Sequence, residues 1–330
     1  MLRIALLSLA LAACGSSGAK SVDATTDSPK SIDARADAPP DSPPDAMVMA
    51  DGTHYHYVID SLAVPQSTMQ ATQYGLDLDG NGMTDNALGN VLATLAGMGF
   101  DSQTAVTTQI DTGAILMLAD LQVTSFTDAT NSAFTIYVGT NPMPPPCSSP
   151  SDTTCRHHLD GTGTFDVAAT PRDTPLAGAV ASDTLTAGPG HLPVELVFAG
   201  GTPVTIDLIG ARVKLDPTAT TITSGIIAGG VSQTELDTTV YPGVQAAVTA
   251  QIAIDCTALA SPPGCGCASG SNGATLISLF DTNHDCAVSV DEIENNTLIQ
   301  ILFAPDVTLE GQMCLSLGVG FTAVPGTFTP

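Results

Sequence analysis

The sequence has few cations and few aromatic residues. Its 330 residues include 8 Lys or Arg against 33 Asp or Glu, so its formal net charge is −25 at pH 7. A nucleic-acid-binding protein needs clustered cations that neutralise phosphates and release counterions, and eight scattered residues do not supply them. There is no Trp, and aromatic residues make up only 4% of the chain, which argues against stacking surfaces. We expect no nucleic-acid partner.

Signatures of common enzyme classes are missing too. The sequence contains no H-E-x-x-H pair, no G-x-S-x-G elbow, no phosphate-binding P-loop and no G-x-G-x-x-G fingerprint. Its acidic residues are mostly Asp, with only five Glu, and Asp favours turns, caps and calcium loops. We predict that the protein is not an enzyme, with a hydrolase of unrecognised site as the alternative.

The first fourteen residues have the pattern of a secretion signal. Arg3 precedes an apolar stretch over residues 4–13 that is too short to span a membrane, and Cys14 follows two small residues. This arrangement resembles the processing box of bacterial lipoproteins. The resemblance implies that residues 1–13 are a signal peptide, that Cys14 carries lipid, and that the protein is anchored to the bacterial cell envelope. Gly15 in place of Asp implies the outer membrane.

Residues 14–52 are predicted to form a disordered tether that starts at the lipidated cysteine. Asp recurs every four to six positions among Ala, Ser and Pro. Low hydropathy and repulsion between like charges prevent such a segment from forming a core, and Pro-Pro pairs stiffen it towards polyproline II. We interpret it as a solvated spacer between the membrane and the folded part.

The following residues, 53–260, are predicted to form a β-rich body. Apolar residues alternate with period two, as in Phe134, Ile136 and Val138, and turn residues separate the short runs. We predict a mainly β fold, an antiparallel sandwich-like body with added helices. A Ser, Pro and Gly cluster over residues 261–273 then marks the start of a C-terminal region, 261–330.

One twelve-residue loop in that region, residues 281–292, resembles an EF-hand calcium loop. The resemblance implies a C-terminal helix-loop-helix unit and a Ca²⁺ cofactor, with six ligands: Asp281, Asn283, Asp285, Ala287 through its carbonyl, Ser289 and Glu292. Apolar residues predict an incoming helix that ends near Phe280 and an outgoing helix from Ile293 to Phe303. Cys286 departs from the pattern, because Gly is usual at loop position six, where φ is positive.

A second loop, residues 77–85, shares the first half of this pattern. Its candidate ligands are Asp77, Asp79, Asn81 and Asp85. Position twelve is Leu88, so no bidentate carboxylate closes the loop. The alternative is an Asn/Gly turn that leads into a helix capped by Asp85 or Asn86.

The cysteines and paired histidines allow further sites. In an exported chain we expect disulfides, and Cys147 with Cys155 is the predicted local pair. The remaining five can form two bridges and leave one thiol, with the connectivity open: Cys256, Cys265, Cys267, Cys286 and Cys314. A bridge from Cys286 would help to hold its loop position. The pairs His54/His56 and His157/His158 could bind zinc or copper, or could be polar surface histidines.

From these features we predict a calcium-binding, membrane-anchored lipoprotein of the cell envelope. Its partners would be Ca²⁺ and the membrane, through the lipid anchor, and the ion would be structural or would modulate the C-terminal unit. An adhesin that binds an extracellular polysaccharide or matrix protein is the alternative from another class.

Overall fold

The computed structural model describes residues 50–97, 102–198, 202–257 and 265–330, which belong to one compact unit. The predicted signal peptide, Cys14 and nearly all of the predicted tether lie outside the described residues. Within them the fold is mainly β, as the alternating pattern predicts.

Eight long strands form a closed antiparallel barrel. The sheet order is β1-β2-β3-β5-β6-β7-β8-β10, and β10 pairs back with β1. Two short strands are added outside this ring, with β4 paired to β3 and β9 paired to β10. The strands are β1 Thr53–Ala63, β2 Met117–Val123, β3 Asp128–Met143, β4 Thr164–Val167, β5 Leu176–Ala181, β6 Thr184–Leu196, β7 Val204–Pro217, β8 Ile222–Ser232, β9 Val307–Leu309 and β10 Gln312–Pro325.

The predicted sandwich is therefore wrong. Alternation shows that one face of each strand is buried, and this holds for a sandwich and a barrel alike. The difference is the pairing of the first and last strands, which places Val58 opposite Val324 and Leu62 opposite Phe321. Register shifts between β6 and β7, near Gly188 and Gly190, add the local bends that help a sheet to coil.

Large side chains fill the barrel. Phe134 and Phe321 are buried with ring centroids 6.5 Å apart, and the buried Tyr57 donates its hydroxyl to the carbonyl of Thr218 at 2.6 Å. Eight-stranded barrels are just wide enough for side chains to occupy their interior. The last strand is central to this core, since β10 lies between β1 and β8.

The helices form three groups along the chain: one lies between β1 and β2, one follows β8, and one precedes β9. Their bounds are α1 Thr68–Gln73, α2 Ala87–Gly97, α3 Ser102–Asp111, α4 Gln233–Glu235, α5 Tyr241–Asp255, α6 Asn272–Phe280, α7 Val290–Glu294 and α8 Thr297–Leu302; a 3-10 turn covers His157–Leu159, and a π-helical turn, Leu236–Val240, joins α4 to α5. Among the described residues, no helix is long and apolar enough to cross a membrane.

The outgoing helix of the predicted EF-hand is interrupted. α7 ends at Glu294, and the side chain of Asn296 accepts hydrogen bonds from the amides of Leu298 and Ile299 to start α8. Asn side chains compete with backbone acceptors and favour caps over helix interiors. The prediction of one helix up to Phe303 is wrong for this reason.

Candidate metal centres

The loop of residues 281–292 connects α6 to α7. Ser271 caps the N-terminus of α6, since its hydroxyl accepts from the amide of Ala274 at 3.2 Å, and the helix buries Leu276 and Phe280. Val288, at loop position eight, is also buried. These buried apolar side chains pack in the hydrophobic core and so fix the position of the polar part of the loop.

The first half of the loop is wound around its own side chains. The buried Asp281 carboxylate accepts from the amides of Asp285 and Cys286, both at 3.0 Å. The side chain of Asn283 accepts from the amide of Asp285 at 2.9 Å, and Asp285 accepts from the amide of Ala287 at 2.9 Å. The side chains at positions one, three and five thus all turn towards the backbone of the same loop.

Cys286 adopts the left-handed conformation that loop position six requires, with φ of +69°. It forms a disulfide with Cys265, which precedes α6. In addition, the side-chain amide of Gln245 on α5 donates to the carbonyl of Val288 at 2.8 Å. The loop is therefore tied to two neighbouring segments at positions six and eight.

Glu292 closes the loop from both ends. One carboxylate oxygen accepts from the amides of Thr282 and Asn283, at 2.9 and 3.3 Å, and the other accepts from the amide and hydroxyl of Ser289, both at 2.9 Å. Partial burial raises the pKa of Glu292, but these hydrogen bonds outweigh it and bring the pKa to about 2. The group is an anion at neutral pH.

The structure also draws together the acidic residues of the second loop. Asp77, Asp79 and Asp85 each present one carboxylate oxygen within 4.8 Å of the others. Asp77 accepts from the amides of Gly80 and Gly82, at 2.7 and 2.9 Å, both of which have positive φ. The tight turn that the sequence predicts is formed.

Two further side chains complete this second cluster. Asn81 accepts from the amide of Met83 at 2.7 Å, and Asp85 accepts from the amide of Leu78 at 2.8 Å. Burial raises the pKa of Asp85 above its usual value, and the hydrogen bond from the amide of Leu78 lowers it only in part. The negative charges of Asp79, Asp306 and Asp77 raise the pKa further. The cluster therefore concentrates negative charge that a cation would neutralise. The predicted helix cap is Asn86, which accepts from the amide of Gly89 at 3.0 Å.

The paired histidines have different surroundings. The side chains of His54 and His56 both lie next to the carboxylate of Asp120. Asp120 is not among the residues that the sequence predicts for a metal site. The only signal for Asp120 is that it interrupts the apolar run of β2. His157 pairs with Asp152 at 3.0 Å, whereas His158 is fully buried. The second histidine pair therefore does not share one site.

Three disulfides are present among the described residues. They join Cys147 to Cys155, Cys256 to Cys267, and Cys265 to Cys286. Of the seven described cysteines, the buried Cys314 alone is a free thiol. The two bridges near α6 link the end of α5, the segment before α6 and the loop.

An apolar cavity of about 200 Å³ lies between α2, α5, α6 and α8. Its wall includes Leu92, Phe198, Val248, Leu276 and Leu302, and it is almost entirely apolar. Among the described residues, Ser102, Asn272 and Thr275 are the polar ones that line it.

No protein-family model matches this chain, and no curated protein or solved structure matches it either.

Proposed function

We propose that the protein is a calcium-binding lipoprotein held on a bacterial cell envelope by a lipid at Cys14. The observation that carries the calcium part is the arrangement of residues 281–292. Its carboxylates at positions one, five and twelve fold onto the loop backbone, and position six has the left-handed conformation of a calcium loop. The lipid part rests on the processing box at Cys14.

The donor set suits a hard cation. Ca²⁺ takes six to eight oxygen ligands at about 2.3 to 2.6 Å, and carboxylates, amide oxygens and carbonyls are its usual partners. Asp281, Asp285 and Glu292 supply three negative charges, and no Lys or Arg follows Lys214 in the sequence. A bound dication would neutralise charge that this part of the chain does not balance with its own cations.

The loop would give the ion a structural role. Asp281 directly follows α6 and Glu292 belongs to α7, so an ion bound by both would link the two helices. Through the Cys265 bridge and the bond from Gln245, the same ion would stabilise the packing against α5. On this proposal, calcium stabilises the C-terminal region.

Calcium titration calorimetry tests this function on the full chain with Cys14→Ser, which removes the lipid. We expect Glu292→Gln and Asp281→Asn to weaken binding at this loop by about tenfold or more, because each removes a charged ligand. The calcium-dependent rise in melting temperature should shrink in parallel, since a ligand stabilises the folded state according to its affinity.

Asp291→Asn is the matched control, because Asp291 is the neighbouring acidic residue at loop position eleven, outside the ligand set. It should leave the affinity close to that of the parent chain. An equal loss in Asp291→Asn and Glu292→Gln would attribute binding to general surface acidity and would contradict the proposal.

A second calcium ion at residues 77–85 is favoured by one specific observation, the three carboxylate oxygens within 4.8 Å of one another. In the same titration Asp79→Asn should reduce the stoichiometry by one ion without changing binding at residues 281–292. An unchanged stoichiometry would leave this loop as a turn and helix cap.

A further inference from the structure

His54, His56 and Asp120 lie together on two neighbouring strands. The histidines are two residues apart on β1, so both side chains face the same side of the sheet. In the register of β1 with β2, Asp120 is directly opposite His56, and His54 is opposite Gln122. The pairing of two strands that are distant in sequence thus adds a carboxylate to the histidine pair.

Two of the separations between the donor atoms are close to those of a tetrahedral metal site. The Nδ1 atom of His54 is 3.0 Å from both carboxylate oxygens of Asp120, and the Nε2 atom of His56 is 3.6 Å from one of them. One donor atom from each of the three residues lies within 4.8 Å of the others. With zinc bonds of 2.0 to 2.1 Å, neighbouring ligand atoms of a tetrahedron are about 3.4 Å apart.

Burial of Asp120 favours a cation at this point. Asp120 is 6% exposed and lies among the apolar residues of β2. A buried carboxylate is costly unless it is paired with a positive charge or is well hydrogen-bonded. The imidazole of His54 is within hydrogen-bonding distance of this carboxylate, and a bound cation would add the positive charge that pairs with it.

The surroundings orient one imidazole and leave space beside the other. The ring of His56 stacks on Phe328 with centroids 4.4 Å apart, and the amide of Gly326 donates to the carbonyl of His56 at 3.1 Å. The C-terminal segment therefore holds this imidazole in place. The side chain of His54 is 51% exposed, so solvent can reach the fourth coordination position.

We propose that His54, His56 and Asp120 bind a divalent transition-metal ion of the zinc class. Imidazole nitrogen is a borderline ligand that suits Zn²⁺ and Co²⁺, whereas calcium sites use oxygen ligands. Two histidines and one carboxylate leave one tetrahedral position for water or an external ligand. This site is separate from the two calcium loops, and neither loop contributes a ligand to it.

Zinc titration of the full chain with Cys14→Ser tests the site. The experiment is done at pH 7.5 with excess Ca²⁺, which keeps Zn²⁺ away from the acidic loops, and Co²⁺ is used in parallel for its visible absorption. We expect one Zn²⁺ per chain and a Co²⁺ spectrum of tetrahedral intensity. His54→Gln and Asp120→Asn should each weaken binding by more than about tenfold, because each removes a ligand.

His157→Gln is the matched control. His157 is also a partly exposed histidine beside a carboxylate, at 3.0 Å from Asp152, and it belongs to no group of three candidate metal ligands among the described residues. It should keep the zinc stoichiometry, affinity and cobalt spectrum of the parent chain.

Three outcomes would overturn the proposal: no zinc binding, an unchanged affinity in His54→Gln, or an equal loss in His157→Gln. Asp120→Asn changes a buried residue, so its metal-free melting temperature is measured alongside. If that variant does not fold, His54→Gln still decides, because the altered side chain is half exposed.

Discussion

At the scale of single residues, Glu195 is an acidic side chain that is buried in the fold. It lies on β6 with 7% of its surface exposed, and one carboxyl oxygen accepts from the amide of Leu116 at 2.9 Å. Burial raises the pKa of Glu195 from 4.5 to about 7, although the bond from Leu116 lowers it. The fold therefore favours the protonated carboxyl group.

The free energy of unfolding should depend on pH through this residue. Between pH 4.5 and 7 the folded chain keeps a proton on Glu195 that the unfolded chain releases, so this contribution is complete below pH 4.5 and is lost as the pH rises to about 7. The raised pKa corresponds to a loss of about 3 kcal/mol in the free energy of unfolding across this pH range. Glu195→Gln cannot titrate, and urea unfolding of both proteins from pH 4.5 to 8 measures the difference.

The comparison with Glu195→Gln removes the contributions of all other titrating groups. The stability of the variant relative to the parent chain should increase over this range and become constant above pH 7. A difference that does not change with pH would show that Glu195 has an ordinary pKa in the fold.

At the scale of elements, covalent bonds and a helix cap shape the loop between α6 and α7. Cys286 has a positive φ, which costs a non-Gly residue about 1 to 2 kcal/mol. Its bridge to Cys265 constrains the unfolded chain and holds that conformation in the folded one. Ser289 and Glu292 form a capping box at the start of α7: the Ser289 hydroxyl accepts from the amide of Glu292, and the Glu292 carboxylate accepts from the amide of Ser289. The disulfide to Cys265 and the hydrogen bonds of the capping box thus hold the loop in its conformation.

Two double variants separate the bridge from the backbone conformation. Cys265→Ser with Cys286→Ser removes the bridge, whose 21-residue span predicts a loss of about 3 kcal/mol in the free energy of unfolding. Cys265→Ser with Cys286→Gly should recover about 1 kcal/mol, because Gly adopts positive φ without strain. Urea unfolding in calcium-free buffer measures both. Equal stability of the two variants would mean that position six is unstrained.

At the scale of the whole molecule, strands from the two ends of the folded region close the barrel. β1 begins at Thr53 and pairs with β10, which ends at Pro325. Cys314 lies on β10 between β8 and β9 and is fully buried. Access to its thiol therefore requires an opening of the sheet around β10.

Thiol counting reports this opening. The Cys14→Ser chain is treated with Ellman's reagent for a few minutes, without a reductant. We expect one reactive thiol when the chain is unfolded in denaturant and close to none when it is folded. The reason is that Cys314 is buried while the other described cysteines are in disulfides. A thiol that reacts equally fast in both states would contradict the buried position.

The same count tests the lipid anchor. Wild-type chain purified from membranes should also show one thiol after unfolding, because a lipidated Cys14 no longer has a free sulfhydryl group. A count of two would place an unmodified Cys14 beside Cys314 and would contradict lipidation.

Local patterns in the sequence determined the features that depend on neighbouring residues. Alternating apolar residues indicated the strands, and ligand spacing indicated the turn at residues 77–85. The position of Cys286 indicated positive φ. These features follow from backbone geometry and short-range hydrogen bonds, which a few consecutive residues decide. Metal binding at either loop stays a prediction.

Only the tertiary structure decided which distant segments meet. The sandwich and the barrel share one alternating pattern, and the pairing of β1 with β10 separates them. Similarly, five cysteines allow several connectivities, and packing selects Cys265 as the partner of Cys286. The register of β1 and β2 places Asp120 opposite His56 and within reach of His54. Such contacts depend on the packing free energy of the whole chain, so the residues near each site cannot specify them alone.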